Sequence, residues 1–265
     1  MKAKKSLGQN FLTSTKIAGD IVRAAKVVES DVALEIGPGK GMLTNELLKT
    51  GAHVIAIEKD SELIPVLQKK FIDEIESGQL ELIEGDALTV RNRITHSYKL
   101  VANIPYYITG EIIRKFLTSP EPPQSMTLLV QKEVAERIVA RNNKESILSL
   151  SVKIYGEPKL VAKVPARFFS PKPKVDSAIL HIADISKDSF EQQSSASLFS
   201  EEKFFKIVKT GFAQKRKKLV NNLAALAPKE EVLKIFKDLD IEENVRAEDV
   251  HLEKWKEIVK LLATA

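Results

Sequence analysis

The chain has 265 residues, a formal net charge of +5 and no cysteine, so disulfides, cysteine nucleophiles and thiolate metal sites are excluded. That length accommodates one large domain and a small one. Four scattered histidines, His53, His96, His181 and His251, show no metal-ligand spacing, so no metal site is expected. The first residues carry Lys2, Lys4, Lys5 and Lys16 without a long apolar run. No secretory signal or membrane span is expected, which points to the cytoplasm.

Residues 17–28 place apolar side chains at 17, 18, 21, 22 and 25, the spacing of an amphipathic helix. Val32-Ala33-Leu34-Glu35-Ile36 then reads as a buried strand running into the glycine turn Gly37-Pro38-Gly39-Lys40-Gly41 and a helix from Met42. The Gly-x-Gly-x-Gly spacing is one residue short of the dinucleotide fingerprint. It suits a loop curving under a ligand without phosphates, such as S-adenosylmethionine; tight strand–helix packing is the alternative. A second strand, His53-Val54-Ile55-Ala56-Ile57, ends in Glu58, whose carboxylate can accept hydrogen bonds from two ribose hydroxyls or be a solvated strand-end charge. A helix over 61–71 follows. The third strand, Leu80-Glu81-Leu82-Ile83-Glu84, ends in Gly85-Asp86. Asp86 can accept from an adenine amino group or be an ordinary turn aspartate.

Val101-Ala102-Asn103-Ile104-Pro105-Tyr106-Tyr107 takes a fourth strand into a side-chain amide, a proline and an aromatic ring. The Asn103 carboxamide oxygen and a main-chain carbonyl near Pro105 can each accept from an exocyclic amine, and Tyr106 can stack on the ring that carries it. Alone, Asn-x-Pro-Tyr also describes a common strand-to-turn exit. Four successive strand ends bearing a glycine turn, an acid, an acid and Asn-x-Pro-Tyr would line the carboxyl edge of one parallel sheet, where such sheets bind ligands. Further helices are expected at 109–117 and 132–141, and further strands at 126–131, 159–164 and 177–182. The last two strands form an antiparallel edge pair, which completes a seven-stranded pattern. A polar, serine-rich linker over 185–200 ends the first domain, residues 1–184. Helices at 202–212, 216–225, 229–239 and 252–262 make a small all-helical domain over 201–265.

Lys203, Lys206, Lys209, Lys215, Arg216, Lys217 and Lys218 occur with no acid among them, a candidate phosphate-contacting segment. Leu219, Leu223 and Leu226 are expected inside, leaving 215–218 to face RNA. A second basic stretch, Lys163, Arg167, Lys172 and Lys174, surrounds Phe168 and Phe169. Cations beside exposed aromatics suit flipped-out or single-stranded nucleic acid. The alternative is that the two rings are core residues.

Four segments together resemble the KsgA-type ribosomal RNA adenine dimethyltransferases: Lys5-Ser6-Leu7-Gly8-Gln9-Asn10-Phe11-Leu12, Glu35 to Gly41, Asn103-Ile104-Pro105-Tyr106, and Phe168 to Ser177. The resemblance spans nearly the whole chain. It implies a Rossmann-like class I methyltransferase fold and methyl transfer from S-adenosylmethionine to N6 of two adjacent adenosines near the 3′ end of small-subunit ribosomal RNA, in a small-subunit (30S) assembly intermediate. It also implies that groups around Asn10 and Leu12 close over the cofactor, that Gly37 and Gly39 lie under it, and that Glu58, with Lys59 beside it, holds the ribose. Asp86, with Ala87, would hold the adenine, Asn103 would touch cofactor and target, and Phe168 or Phe169 would stack on the flipped base beside Pro105 and Tyr106. Erythromycin-resistance methyltransferases share these motifs; residues 212–223 resemble a helical-domain signature that favours the ribosome-biogenesis branch. A small-molecule N-methyltransferase and a noncatalytic assembly factor are the other readings. Nothing demands more than a monomer.

Overall fold

The computed structural model describes residues 3–4, 7–89, 97–191 and 199–263. Lys5 and Ser6 of the N-terminal motif, His96 and the serine-rich residues 192–195 lie outside the described residues. The chain divides into two compact units, one comprising Met1–Ala135 with Gly156–Ile185, the other Glu136–Tyr155 with Ser186–Ala265.

In the first unit seven strands form one sheet: β1 (Val32–Ile36), β2 (His53–Glu58), β3 (Leu80–Glu84), β4 (Lys99–Asn103), β5 (Ser125–Gln131), β6 (Glu157–Val164) and β7 (Ser177–Ala183). Their spatial order is β3-β2-β1-β4-β5-β7-β6. Strands β1 to β5 are mutually parallel, and β7 runs antiparallel to both of its neighbours. The central strands are continuous apolar runs because helices cover both faces of a parallel sheet; Ala33, Leu34, Val54, Ala56, Leu100, Val101 and Leu128 are fully buried. The edge strand β6 alternates exposed and half-buried positions and carries a register shift between Leu160 and Ala162, as an edge requires.

Helices α1 (Thr15–Ala25), α2 (Met42–Leu48), α3 (Ile64–Lys70), α4 (Ile72–Glu76) and α5 (Thr109–Leu117) belong to this unit. Helix α1 starts where the Ser14 side chain accepts from the Ile17 amide, and it buries Ile17, Ala18, Ile21, Val22 and Ala25. It ends at Ala25 because Lys26 adopts a left-handed conformation, so Val28, expected in this helix, stands exposed. The helix expected over 61–71 spans Ile64–Lys70, and the unexpected α4 follows it directly after Phe71, whose dihedrals are not helical. A two-stranded ladder too short to read from pattern pairs Phe11 with Ser170 and Leu12 with Phe169.

The second unit contains α7 (Ile147–Lys153), α8 (Asp188–Glu191), α9 (Glu201–Gly211), α10 (Leu219–Leu223), α11 (Lys229–Asp238) and α12 (Leu252–Leu262); α6 (Lys132–Ile138) crosses the boundary between the units. Its core includes Phe204, Leu219, Leu223, Val232, Phe236, Trp255 and Ile258. Two boundaries differ from the sequence reading. Residues 136–155, placed there in the first domain, pack with the C-terminal helices: the Glu145 amide donates to the Glu248 carbonyl at 2.7 Å, and Lys144 pairs with Asp249. The ends of the expected 185–200 linker are also part of this core, because Phe190 and Phe199 stack at 5.6 Å between centroids. Helix α10 begins at Leu219 instead of 216; Lys218 has extended ψ and the Leu219 amide donates to Val245. Four adjacent cations therefore occupy a turn. Among the described residues no helix is long and apolar enough to cross a membrane.

Candidate active site

The parallel register of β1 to β4 brings their carboxyl ends to one edge of the sheet, and a pocket opens there. Its lining includes Gly37, Gly39, Glu58, Lys59, Asp86, Ala87, Asn103, Pro105 and Tyr106 from the strand ends and Asn10 and Leu12 from the N-terminal segment. All of these are expected from the sequence, and the fold gathers them in one place.

The glycine turn has alternating left-handed residues, with φ of 69° at Gly37, 61° at Gly39 and 72° at Gly41. A side chain at Gly39 would meet the Phe11 ring at 3.1 Å even before any strain is counted. The turn is fastened from below: Lys70 Nζ donates to the carbonyls of Lys40 and Gly41 at 2.9 and 3.0 Å. Above it, the Gly39 amide donates to Glu58 Oε2 at 2.9 Å, while the Asp60 amide donates to Glu58 Oε1 at 2.8 Å. Burial pushes the Glu58 carboxyl upward, against these two amides, which favour the charged form. Asp86 lies in the opposite situation. Its Oδ2 accepts from Lys59 Nζ at 2.7 Å and its Oδ1 from the Leu88 amide at 2.9 Å. The Lys59 ammonium holds the Asp86 carboxyl below its usual value.

At the end of β4, Asn103 Nδ2 donates to the Asn10 carbonyl at 3.3 Å. With its nitrogen committed, the carboxamide offers its oxygen as acceptor. Pro105 has an extended ψ of 136° and starts a 3-10 turn over Tyr106–Ile108, closed by the Ile108 amide donating to the Pro105 carbonyl at 3.2 Å. Tyr106 is half-buried, and its hydroxyl shares a 2.7 Å hydrogen bond with Ser177 Oγ at the start of β7. That tether fixes the direction of the ring's long axis.

Two side chains to which the sequence reading gives no role belong to this region. Glu35, 1 % exposed, lines the pocket and carries a buried oxygen, Oε2, with no hydrogen-bond partner. Burial raises its carboxyl to about 8. Asp60, 3 % exposed, receives Lys4 and Gln9 at 2.7 Å each. The signal for Glu35 is its place two residues ahead of the first glycine; for Asp60 no local pattern exists, because its partners lie some fifty residues away in sequence.

Phe169 does not fit the stacking role expected for it. It is 4 % exposed and its side chain joins the hydrophobic core against Leu12, since the short ladder turns that face inward. Phe168 is half-buried, with the Arg167 guanidinium 5.1 Å from its ring centroid. Neither ring lines the pocket. Lys172 and Lys174 are exposed in the loop before β7, and Lys215, Arg216, Lys217 and Lys218 are exposed in the second unit. Among the described residues, no cluster of His, Asp or Glu could hold a metal ion.

The model of the ribosomal RNA adenine dimethylase family matches residues 1–264. The chain belongs to that family. It is 41 % identical over 264 residues to the ribosomal RNA small subunit methyltransferase A of Dehalococcoides mccartyi, covering 97 % of this chain and 88 % of the relative. The protein of the same name from Fusobacterium nucleatum is 39 % identical, covering 98 % and 97 % of the two chains. Among solved structures, a dimethyladenosine transferase from Plasmodium falciparum superposes with a TM-score of 0.78 at 28 % identity over 94 % of this chain and 95 % of that one. The 23S rRNA methyltransferase ErmE does so with 0.77 at 26 % identity over 96 % and 99 %. The seven-stranded sheet is that of class I methyltransferases, and the family member described here is a methyltransferase that modifies RNA.

Proposed function

We propose that this chain dimethylates N6 of two adjacent adenosines near the 3′ end of small-subunit (16S) ribosomal RNA, using S-adenosylmethionine, during assembly of the small subunit in the cytoplasm. The observation that carries the reading is the Asn103-to-Tyr106 turn opening into the same pocket as the acids that end β2 and β3. Support for the small subunit over the large one comes from relatives about 40 % identical over nearly the full chain, whose names specify the small subunit.

The pocket fits S-adenosylmethionine. Glu35 Oε2 is a buried acceptor without a protein donor. The bare backbone at Gly37 lies near only the Asn103 carbonyl, 3.9 Å from where a Cβ would be, leaving room for a ligand to rest on it. Glu58 would accept from the ribose hydroxyls with the lone pairs that Gly39 and Asp60 leave free, and Asp86 with its neighbour Ala87 would recognise the adenine edge. When bound, S-adenosylmethionine supplies a methyl group on a positively charged sulfur, an electrophile needing little further activation.

The protein's own work is therefore alignment. The Asn103 oxygen accepts one N6 hydrogen of the target adenine and a main-chain carbonyl of the turn at Pro105 accepts the other, which draws the nitrogen toward a tetrahedral geometry and frees its lone pair. Tyr106, tethered by Ser177, stacks on the base, and Phe168 provides the second ring from the adjoining loop. These contacts offset the few kcal/mol that removing a base from its stack costs. The described pocket lining contains no histidine; the methylated nitrogen is acidic enough to release its proton to water. Lys172, Lys174 and the 215–218 turn hold phosphates. A monomer suffices for each of these steps.

The test is mass spectrometry of nucleosides from small ribosomal subunits that lack the modification, after incubation with the protein and S-adenosylmethionine, with large subunits in parallel. N6,N6-dimethyladenosine confined to the small subunit is the expected result. Labelling of large-subunit RNA would transfer the protein to the ErmE-like branch, and no transfer to either would remove the catalytic reading.

A further inference from the structure

The N-terminal segment covers the pocket, yet it contributes only the short ladder to regular structure in this unit, so other interactions must hold it there. Beside the burial of Phe11 and Leu12, the Asp60 carboxylate supplies two of them. Its Oδ1 accepts from Lys4 Nζ and its Oδ2 from Gln9 Nε2, both at 2.7 Å. The same segment is braced internally, the Lys4 amide donating to Gln9 Oε1 at 2.7 Å and the Leu7 amide to the Lys4 carbonyl at 3.1 Å. Burial alone would raise the Asp60 carboxyl; Lys4 and Gln9 outweigh it and hold the group below its ordinary value.

What depends on it is visible one residue further along. Asn10 follows Gln9 directly, and its carbonyl is the acceptor that takes Asn103 Nδ2. Gly8, with φ of 60°, lies flush against Tyr107, where a Cβ would come within 2.9 Å of the ring. Asp60 also touches the cofactor side, since its amide donates to Glu58 Oε1 at 2.8 Å. One buried acid thus stands between the ribose-facing carboxylate and the backbone that orients the Asn103 amide.

We propose that Asp60 is a positioning residue: through Gln9 and Lys4 it fastens the N-terminal segment over the pocket and thereby sets the Asn103 amide for transfer. The inference rests on the proposed methyl-transfer reading. It places Asp60 in the reaction without any contact to the reacting atoms.

A double-mutant cycle tests it on the full chain with Asp60→Ala, Gln9→Ala and the combination. The readouts are kcat on small subunits, the dissociation constant for S-adenosylhomocysteine by calorimetry, and the thermal midpoint. Each single change should lower kcat about tenfold to a hundredfold, the loss expected for a hydrogen bond to a charged group, and the double variant should be no worse than the poorer single one. Ligand affinity should show the same non-additivity. Asp60→Glu, which keeps the charge, should recover part of kcat. Additive losses, or a lowered midpoint with kcat intact at temperatures where the variants are folded, would overturn the clamp. If the unaltered protein transfers nothing to small subunits, the functional reading falls. The clamp is then decided by the calorimetric cycle alone, where coupling upholds it and additivity overturns it.

Discussion

At the carboxyl edge of the first unit's sheet, Glu58 and Asp60 are buried acids with few and specific partners. In the second unit, Lys215, Arg216, Lys217 and Lys218 stand exposed on one turn. Both regions are charged, but the physics differs. A buried carboxylate is an all-or-none geometric element whose loss leaves a donor stranded. Exposed cations act through a screened field that sums over residues. Substitutions in the first region should therefore change chemistry sharply and independently of salt. Those in the second should change RNA affinity gradually and with salt.

Removing Asn103 gives the sharpest separation. Asn103→Ala should lower kcat by about a hundredfold or more, the scale on which a single transition-state hydrogen-bonding group acts, with RNA affinity unchanged in a filter-binding assay; equal loss of both would break the distinction. Reversing the charges of 215–218 to glutamate should do the opposite. RNA affinity should fall, and the slope of log affinity against log salt should shrink by about 0.7 for each phosphate that is no longer neutralised. A slope identical to that of the unaltered protein would remove this turn from the interface. A smaller effect is expected for Glu58→Gln, which keeps shape and loses charge. Affinity for S-adenosylmethionine should fall about tenfold, consistent with hydrogen bonds to a charged group, and calorimetry at two salt concentrations should give the same ratio.

A separate effect, read on stability instead of activity, is a pH dependence. Burial raises Glu35 from 4.5 to about 8, so between those values the folded protein retains a proton that the unfolded chain has released. Stability therefore falls as pH rises through this window, on the scale of about 1.4 kcal/mol for each pKa unit. The upward shift of Glu58 adds a slope of the same sign. Glu35→Gln should flatten the thermal midpoint against pH by its own share. Parallel curves for the two proteins would show that Glu35 stays ionised.

The same contrast explains what can be read from the sequence. Apolar strands ending in glycine, Glu58, Asp86 or Asn103 carry their meaning locally, because parallel strands deliver their ends to one edge whatever the helices do. Periodicity starts helix α10 three residues early because it continues into the cations, while the Leu219 amide goes to Val245 instead. Phe169 reads as a ring for stacking because composition cannot tell which face of a two-residue strand turns inward. Residues 136–155 give no sign of joining the C-terminal helices, since the bond from Glu145 to Glu248 spans about a hundred positions. Asp60 is invisible for the same reason. Long-range polar contacts leave no periodic trace.

The short ladder between residues 11–12 and 169–170 has a mechanical consequence. With Leu12 opposite Phe169, Phe11 opposite Ser170, and the Thr13 amide donating to the Phe168 carbonyl at 2.9 Å, the N-terminal strip that lines the pocket and the segment bearing Phe168 are stitched together, and the burial of Phe11, Leu12 and Phe169 roots that seam in the core. Any strain placed on one side of the seam is felt on the other, so a change that loosens residues 11–12 should also displace the Phe168 ring.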